Sequence, residues 1–255
     1  MGILNQIICT LIASFLCFIL GLSYAWPSST MRLFQSDNTT LERPMGPTEI
    51  ALFGSLSSIG ALVGTPPIGI FLDIIGRKYC AMAAGLMSVL AWTIITTCIK
   101  VEAILVAIFL SGVGGAVVLV VPVYVGEICQ ESIRGTMTSS SMIFYGIGML
   151  ASYVLGGYLE YKLMVYICLS LTILGVIMLL FLRETPLYLM KKGMDKEAQK
   201  SFAFYRNAAF DSKIVLQEMD TLRRAFNPVM DDDGGTTIFV TIYISFINLQ
   251  AKSHL

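Results

Sequence analysis

Charge is what this sequence has least of. Asp, Glu, Lys and Arg make up 13% of it, about half of the roughly 25% usual in a soluble domain. The seventeen bases and seventeen acids cancel. A chain without basic excess gives a phosphate backbone nothing to condense on, so nucleic acid is excluded as a partner. Histidine is nearly absent as well: the single one, His254, stands beside the last residue. No serine or cysteine therefore has a histidine to activate it, and no metal-ligand cluster forms, so the sequence predicts neither an enzyme nor a cofactor or metal site. The six cysteines (Cys9, Cys17, Cys80, Cys98, Cys129, Cys168) show no C-x-x-C spacing. Most lie in apolar runs where a thiol packs as a small hydrophobe, so disulfides are not expected.

What fills the chain is hydrocarbon. Hydrophobic residues are 56% of it and the mean hydropathy is +0.76. Spanning a bilayer takes about 20 apolar residues, and six stretches qualify: 7–27, 50–72, 79–99, 103–125, 136–159 and 163–182. They are too long and too unalternating for barrel strands, so an all-α membrane protein is predicted. No Asp, Glu, Lys or Arg stands in the middle of any span, which argues against an ion path through this part of the chain. The first run has an alternative reading as a cleaved signal peptide, with Ser23-Tyr24-Ala25 as the cleavage site, but no basic residue precedes its apolar core.

Lys and Arg set the orientation. With a cytoplasmic N-terminus the inner loops hold Arg77, Lys78, Arg134, Arg183, Lys191, Lys192 and the bases beyond them, against Arg32, Arg43, Lys100 and Lys162 outside. The same orientation puts the sequon Asn38-Thr39-Thr40 outside, where Asn38 can be glycosylated. Small residues recur in the second, fourth and fifth spans: Gly60 and Gly64, Gly112 and Ala116, then Gly146, Gly148, Gly156 and Gly157. That spacing lets helix backbones approach closely. Pro66-Pro67 predicts a kink or local unwinding of the second span. Beyond Leu182 the composition turns mixed, and Ala198, Phe202, Tyr205 and Ala209 recur at helical spacing. The expected organisation is a six-helix bundle over 1–182, a cytoplasmic helical linker over 183–235 and a short apolar segment over 236–255, an incomplete seventh helix.

Three charged turns follow apolar runs: Asp73-x-x-Gly76-Arg77-Lys78, Pro122-x-Tyr124-x-x-Glu127-Ile128 running on to Arg134-Gly135, and Glu184-Thr185-Pro186-x-Tyr188-Leu189. In this order, in register with six spans, they resemble the sugar porter branch of the major facilitator superfamily. Gly135-Thr136 with Gly148 looks most like the insect-type facilitated trehalose transporters. The resemblance covers residues 1 to about 226. It implies a twelve-helix fold of two six-helix halves, of which this chain would hold the N-terminal one plus the start of the cytoplasmic linker. Departures are visible: Ala107 and Ile108 stand where the family carries Gly-Arg, Met142 where glucose transporters carry a sugar-binding glutamine, and Arg183 and Leu187 replace the family's proline and arginine in the third motif.

Under that resemblance Asp73, Gly76, Arg77, Lys78, Glu127, Arg134, Gly135 and Glu184 form the cytoplasmic gate. Ser23, Tyr24, Ser141, Tyr145 and Ser152 are the candidate sugar contacts. Proton-coupled sugar porters carry a first-span aspartate where this chain has Ser23, so facilitated (uniport) movement of a neutral sugar such as trehalose or glucose across the plasma membrane is expected. The alternative is a non-transporting shortened form that self-associates or pairs with full-length porters in the bilayer.

Overall fold

The computed structural model describes residues 3–226; the expected segment 236–255 and the last residues of the expected linker lie outside them. Ten helices are present among the described residues: α1 (Ile3–Gln35), α2 (Pro47–Ile75), α3 (Arg77–Thr97), α4 (Val101–Gly114), α5 (Val117–Ile128), α6 (Glu131–Tyr158), α7 (Tyr161–Leu180), α8 (Pro186–Lys191), α9 (Asp195–Arg206) and α10 (Lys213–Phe226). α1, α2, α3, the α4–α5 pair, α6 and α7 are the six segments long and apolar enough to cross a membrane. One compact unit runs to Asn207 and takes in α8 and α9, while α10 belongs to a second.

Local sequence sets the helix ends. α2 opens on Pro47, whose missing N–H costs nothing there, and the Glu49 carboxylate turns back to accept the Gly46 N–H at 2.8 Å. α9 begins with Asp195 and Glu197 and closes on Arg206, each charge matched to its end of the helix dipole. It stops at Asn207 in the left-handed conformation, φ 48°.

α2 continues through Pro66 and Pro67 as one helix, so of the two outcomes expected there, a kink or local unwinding, the unwinding does not occur. The interruption falls in the fourth span instead, at Gly115–Ala116 between α4 and α5. There the chain presses on α3, where a Cβ on Gly114 would lie 2.7 Å from Ser88 Oγ and 2.9 Å from the Ala84 carbonyl oxygen.

Backbone crossings organise the bundle. Gly21 of α1 faces the Tyr145 carbonyl of α6, and Gly148 of α6 faces the Phe18 carbonyl of α1; a side chain on either would collide with backbone. Gly60 of α2 and Gly112 of α4 make the same reciprocal arrangement against Phe109 and Ser57. In lipid no hydrophobic force draws helices together, so such close packing carries the association. Gly146 and Gly157 face open space and serve no crossing.

α1 packs most closely on α6 and also meets α5, α7, α9 and α2. Ser23 and Ala25 of the cleavage-like tripeptide are buried, and the helix continues past them through Pro27. Trp26 lies at the centre of one core cluster, edge-on to Phe53 at 5.4 Å, Trp92 at 5.5 Å and Phe34 at 6.0 Å. A second cluster, around Cys9, Val121, Tyr124 and Tyr205, fills the opposite end of α1.

Candidate functional site

The three charged turns meet at that opposite end. Arg77, the first residue of α3, is only 7% exposed. Its Nη2 lies 2.8 Å from Glu127 Oε1 of α5 and its Nε donates to the same oxygen at 2.9 Å. Nη1 donates to the Leu72 carbonyl at 3.0 Å and lies 3.3 Å from Asp73 Oδ1. Asp73 in turn pairs with Lys191 of α8 at 3.1 Å. The second Glu127 oxygen accepts the Thr185 hydroxyl at 2.6 Å, so both carboxylate oxygens are engaged. A buried guanidinium needs this many acceptors, because each unmatched N–H away from water costs the full desolvation penalty.

Glu184 does something the motif alone does not reveal. Its carboxylate accepts the backbone N–H groups of Arg77 at 3.0 Å, Lys78 at 3.2 Å and Thr185 at 3.0 Å. It is the N-terminal cap of α3, supplied from the chain that follows α7 because Gly76, at the cap position, has no side chain to offer. Gly76 is required twice over: its φ of 108° with ψ 163° is open essentially only to glycine, and a Cβ there would lie 2.5 Å from Glu184 Oε2. Burial pushes the Glu184 carboxyl above its ordinary range, against the pull of those N–H groups and of Arg77.

The remaining gate candidates divide. Lys78 sends its ammonium to the Leu180 carbonyl at 3.1 Å, closing the end of α7 rather than an ion pair. Arg134 and Gly135 open α6 on the exposed surface; no ion pair of Arg134 occurs among the described residues, and a Cβ on Gly135 would meet nothing within 4 Å. Tyr188 closes the cluster from α8, donating to the Ile74 carbonyl at 2.9 Å, with the Arg77 guanidinium 5.6 Å from its ring centre.

Of the five candidate sugar contacts, three are enclosed by helix packing. Ser23 donates to the Ile19 carbonyl at 3.1 Å and accepts the Trp92 indole N–H at 3.1 Å. Ser141 pairs with Ser14 at 3.3 Å across the α1–α6 crossing. Ser152 is fully buried, its hydroxyl without a hydrogen-bond partner among the described residues. Only Tyr24 and Tyr145 keep partly exposed surface; their rings stand edge to face, 6.4 Å apart. Asn38 is exposed on the α1–α2 loop.

Comparison with known proteins decides the family. The family described as "Sugar (and other) transporter" matches residues 9–248. The chain belongs to this sugar transporter family. Among curated relatives it is 30% identical to the Arabidopsis thaliana "Sugar transporter ERD6-like 6" over 68% of this chain and 36% of that protein. It is 26% identical to the Drosophila virilis "Facilitated trehalose transporter Tret1" over 84% of this chain and 23% of that protein. The chain spans well under half the length of these two relatives. Its fold is that of the xylose transporter XylE from E. coli in a partially occluded inward-open conformation, with a TM-score of 0.73 at 17% identity over 89% of this chain and 60% of that one. XylE is a major facilitator superfamily protein, so the bundle is one six-helix part of that fold.

Sequence reasoning missed several members of the charged end. Lys191 and Thr185 carried no sign of their roles, since Lys191 counted only as one of the inner-loop bases and Thr185 only as part of the third charged motif. Gln6 did give one: it is an amide in the first turn of an apolar run, and it is completely buried.

Proposed function

We propose that this chain is the first of two six-helix halves of a facilitative transporter for a neutral sugar such as trehalose or glucose, working by alternating access in the plasma membrane with its N-terminus in the cytoplasm. The observation that carries the reading is the family match over residues 9–248. The trehalose transporters among the relatives support that sugar, and the absence of charge from the middle of the spans supports uniport. The clustering of Arg77, Lys78, Arg183 and Lys191 at one end supports the orientation, since basic residues stay on the cytoplasmic side. It follows that exposed Asn38 faces outward and carries a glycan.

In this reading Arg77, Glu127, Asp73 and Glu184 make the inner end of the half rigid, so that it rocks as one piece. Arg134, exposed and free of ion pairs among the described residues, is the cation this half presents to the other. Tyr24 and Tyr145 offer the sugar an aromatic face and hydroxyl groups. The test is uptake of labelled trehalose and glucose into proteoliposomes, with the chain alone and in its continuation by a second six-helix half. Uptake above empty vesicles that Arg134→Ala lowers is expected; uptake equal to empty vesicles in both preparations overturns the reading.

One observation favours the second reading, a non-transporting form that pairs with full-length porters: α2 and α6 are the least buried of the six spans, which leaves two helix faces open to close packing against another porter. Co-purification with a full-length porter, without uptake of its own, distinguishes it.

A further inference from the structure

α9 is twelve residues long, and an isolated helix of that length is marginal in water. Its stability has to come from what it docks on. The last carbonyl groups of a helix run out of intrahelical donors, and two of those in α9 are met by the first turn of α1, the Phe204 carbonyl in addition to its bond from the Asn207 N–H at 3.2 Å. Asn5 Nδ2 donates to the Phe204 carbonyl at 2.7 Å, and Gln6 Nε2 donates to the Tyr205 carbonyl at 3.1 Å. The other end of the same Gln6 amide accepts the Gln130 N–H at 3.0 Å, at the residue that caps α6. Gln6 is 0% exposed, so each of these bonds is shielded from water and loss of the amide would strand a donor and an acceptor together. Behind it, the Tyr124 and Tyr205 hydroxyls stand 2.8 Å apart, both within reach of the Arg183 carbonyl at 2.9 and 2.8 Å. Arg206 returns the contact from α9, donating to the Ile128 carbonyl at the end of α5 at 3.1 Å.

We propose that Asn5 and Gln6 are a clasp that makes α8 and α9 part of the rigid body of the six-helix bundle, with Gln6 the positioning residue that ties the start of α1 to the end of α9 and the start of α6. Any rocking of the bundle then carries α9 with it, and the first turn of α1, outside every charged motif, sets the stiffness of the inner face. The clasp is a property of the folded chain and holds whether or not sugar moves through it.

Amide hydrogen exchange on the chain in lipid nanodiscs tests it, because docking shows there and transport does not. In the wild type the α9 amides are expected to exchange far more slowly than a free helix of that length allows. Gln6→Leu keeps the volume and removes both hydrogen-bonding ends. It is expected to speed α9 exchange by about tenfold or more while α3 and α7 keep their protection. Should Gln6→Leu loosen α3 and α7 as well, Asn5→Ala is the variant to read, removing one bond at a half-buried site and speeding α9 by about threefold. Unprotected α9 amides in the wild type, or α9 exchange unchanged in the variant that leaves α3 and α7 intact, overturns the proposal.

Discussion

The two ends of the bundle are closed by opposite means. At the Arg77 end, ionised groups are enclosed by helices: the side chains of Arg77 and Glu127 are 9% and 11% exposed, and every oxygen of Glu127 is engaged. At the Trp26 end, rings fill the interior and the ions lie outside. Arg43 there makes a two-pronged bond to Glu49 at 2.8 and 2.6 Å and reaches Glu102 at 3.2 Å, tying the α1–α2 loop to the starts of α2 and α4. Arg43 is half exposed and Glu102 largely so. Two arginine–carboxylate pairs of similar length therefore have different consequences. A pair in low dielectric is hard to separate and harder to leave half-made, whereas one in water is screened by salt.

Removing one buried partner is the largest perturbation of that contrast. Glu127→Ala strands the Arg77 guanidinium and is expected to cost about 3–5 kcal/mol, seen in detergent as a large fall in thermal midpoint. The double variant Arg77→Met/Glu127→Leu should recover most of the loss, because it removes both charges together. A double variant as unstable as the single one would show that backbone anchoring by Arg77, through Leu72, outweighs the charge pair.

Next comes Gly76→Ala, which forces a side chain into a glycine-only conformation and against the Glu184 carboxylate. Strain of this kind costs about 1–3 kcal/mol, and a midpoint equal to the wild type would mean that the α2–α3 turn relaxes at no cost. A smaller effect is expected from Glu184→Gln, read as pH dependence. The folded-state carboxyl lies above its ordinary value of 4.5, chiefly because it is buried. Its contribution to stability is therefore complete below that value and fades as pH rises through the raised folded one. Glu184→Gln should flatten that part of the stability profile; an unchanged slope assigns it to another group. The smallest effect belongs to Arg43→Ala. Its loss should vanish at about 1 M salt, where the Debye length falls to about 3 Å, and a salt-independent loss would place Arg43 with the buried pairs.

How much of the site was visible in the sequence follows from the same physics. Charged residues right after long apolar runs stand out by composition, so Asp73, Arg77, Glu127 and Glu184 could be read as one end of a bundle. Their division of labour could not. Arg134 looks equivalent to Arg77 in the sequence, yet one is exposed and the other enclosed. Glu184 reads as a gate acid and turns out to cap α3 across more than a hundred residues of chain. The serines offered to sugar, Ser23, Ser141 and Ser152, are buried within the bundle, Ser23 and Ser141 already hydrogen-bonded there, since close helix crossings bring small polar residues inside.

Run length and hydropathy settled that there are six spans and that they are helices, because a backbone in hydrocarbon must satisfy its own hydrogen bonds. The order of the charged turns carried the resemblance to a family, which the match over residues 9–248 then established. Which glycines touch a neighbour, why the fourth span breaks at Gly115, and which carboxylate meets which cation came only from the packed bundle. Those outcomes depend on side chains brought together from distant parts of the chain, and local pattern does not encode such distances.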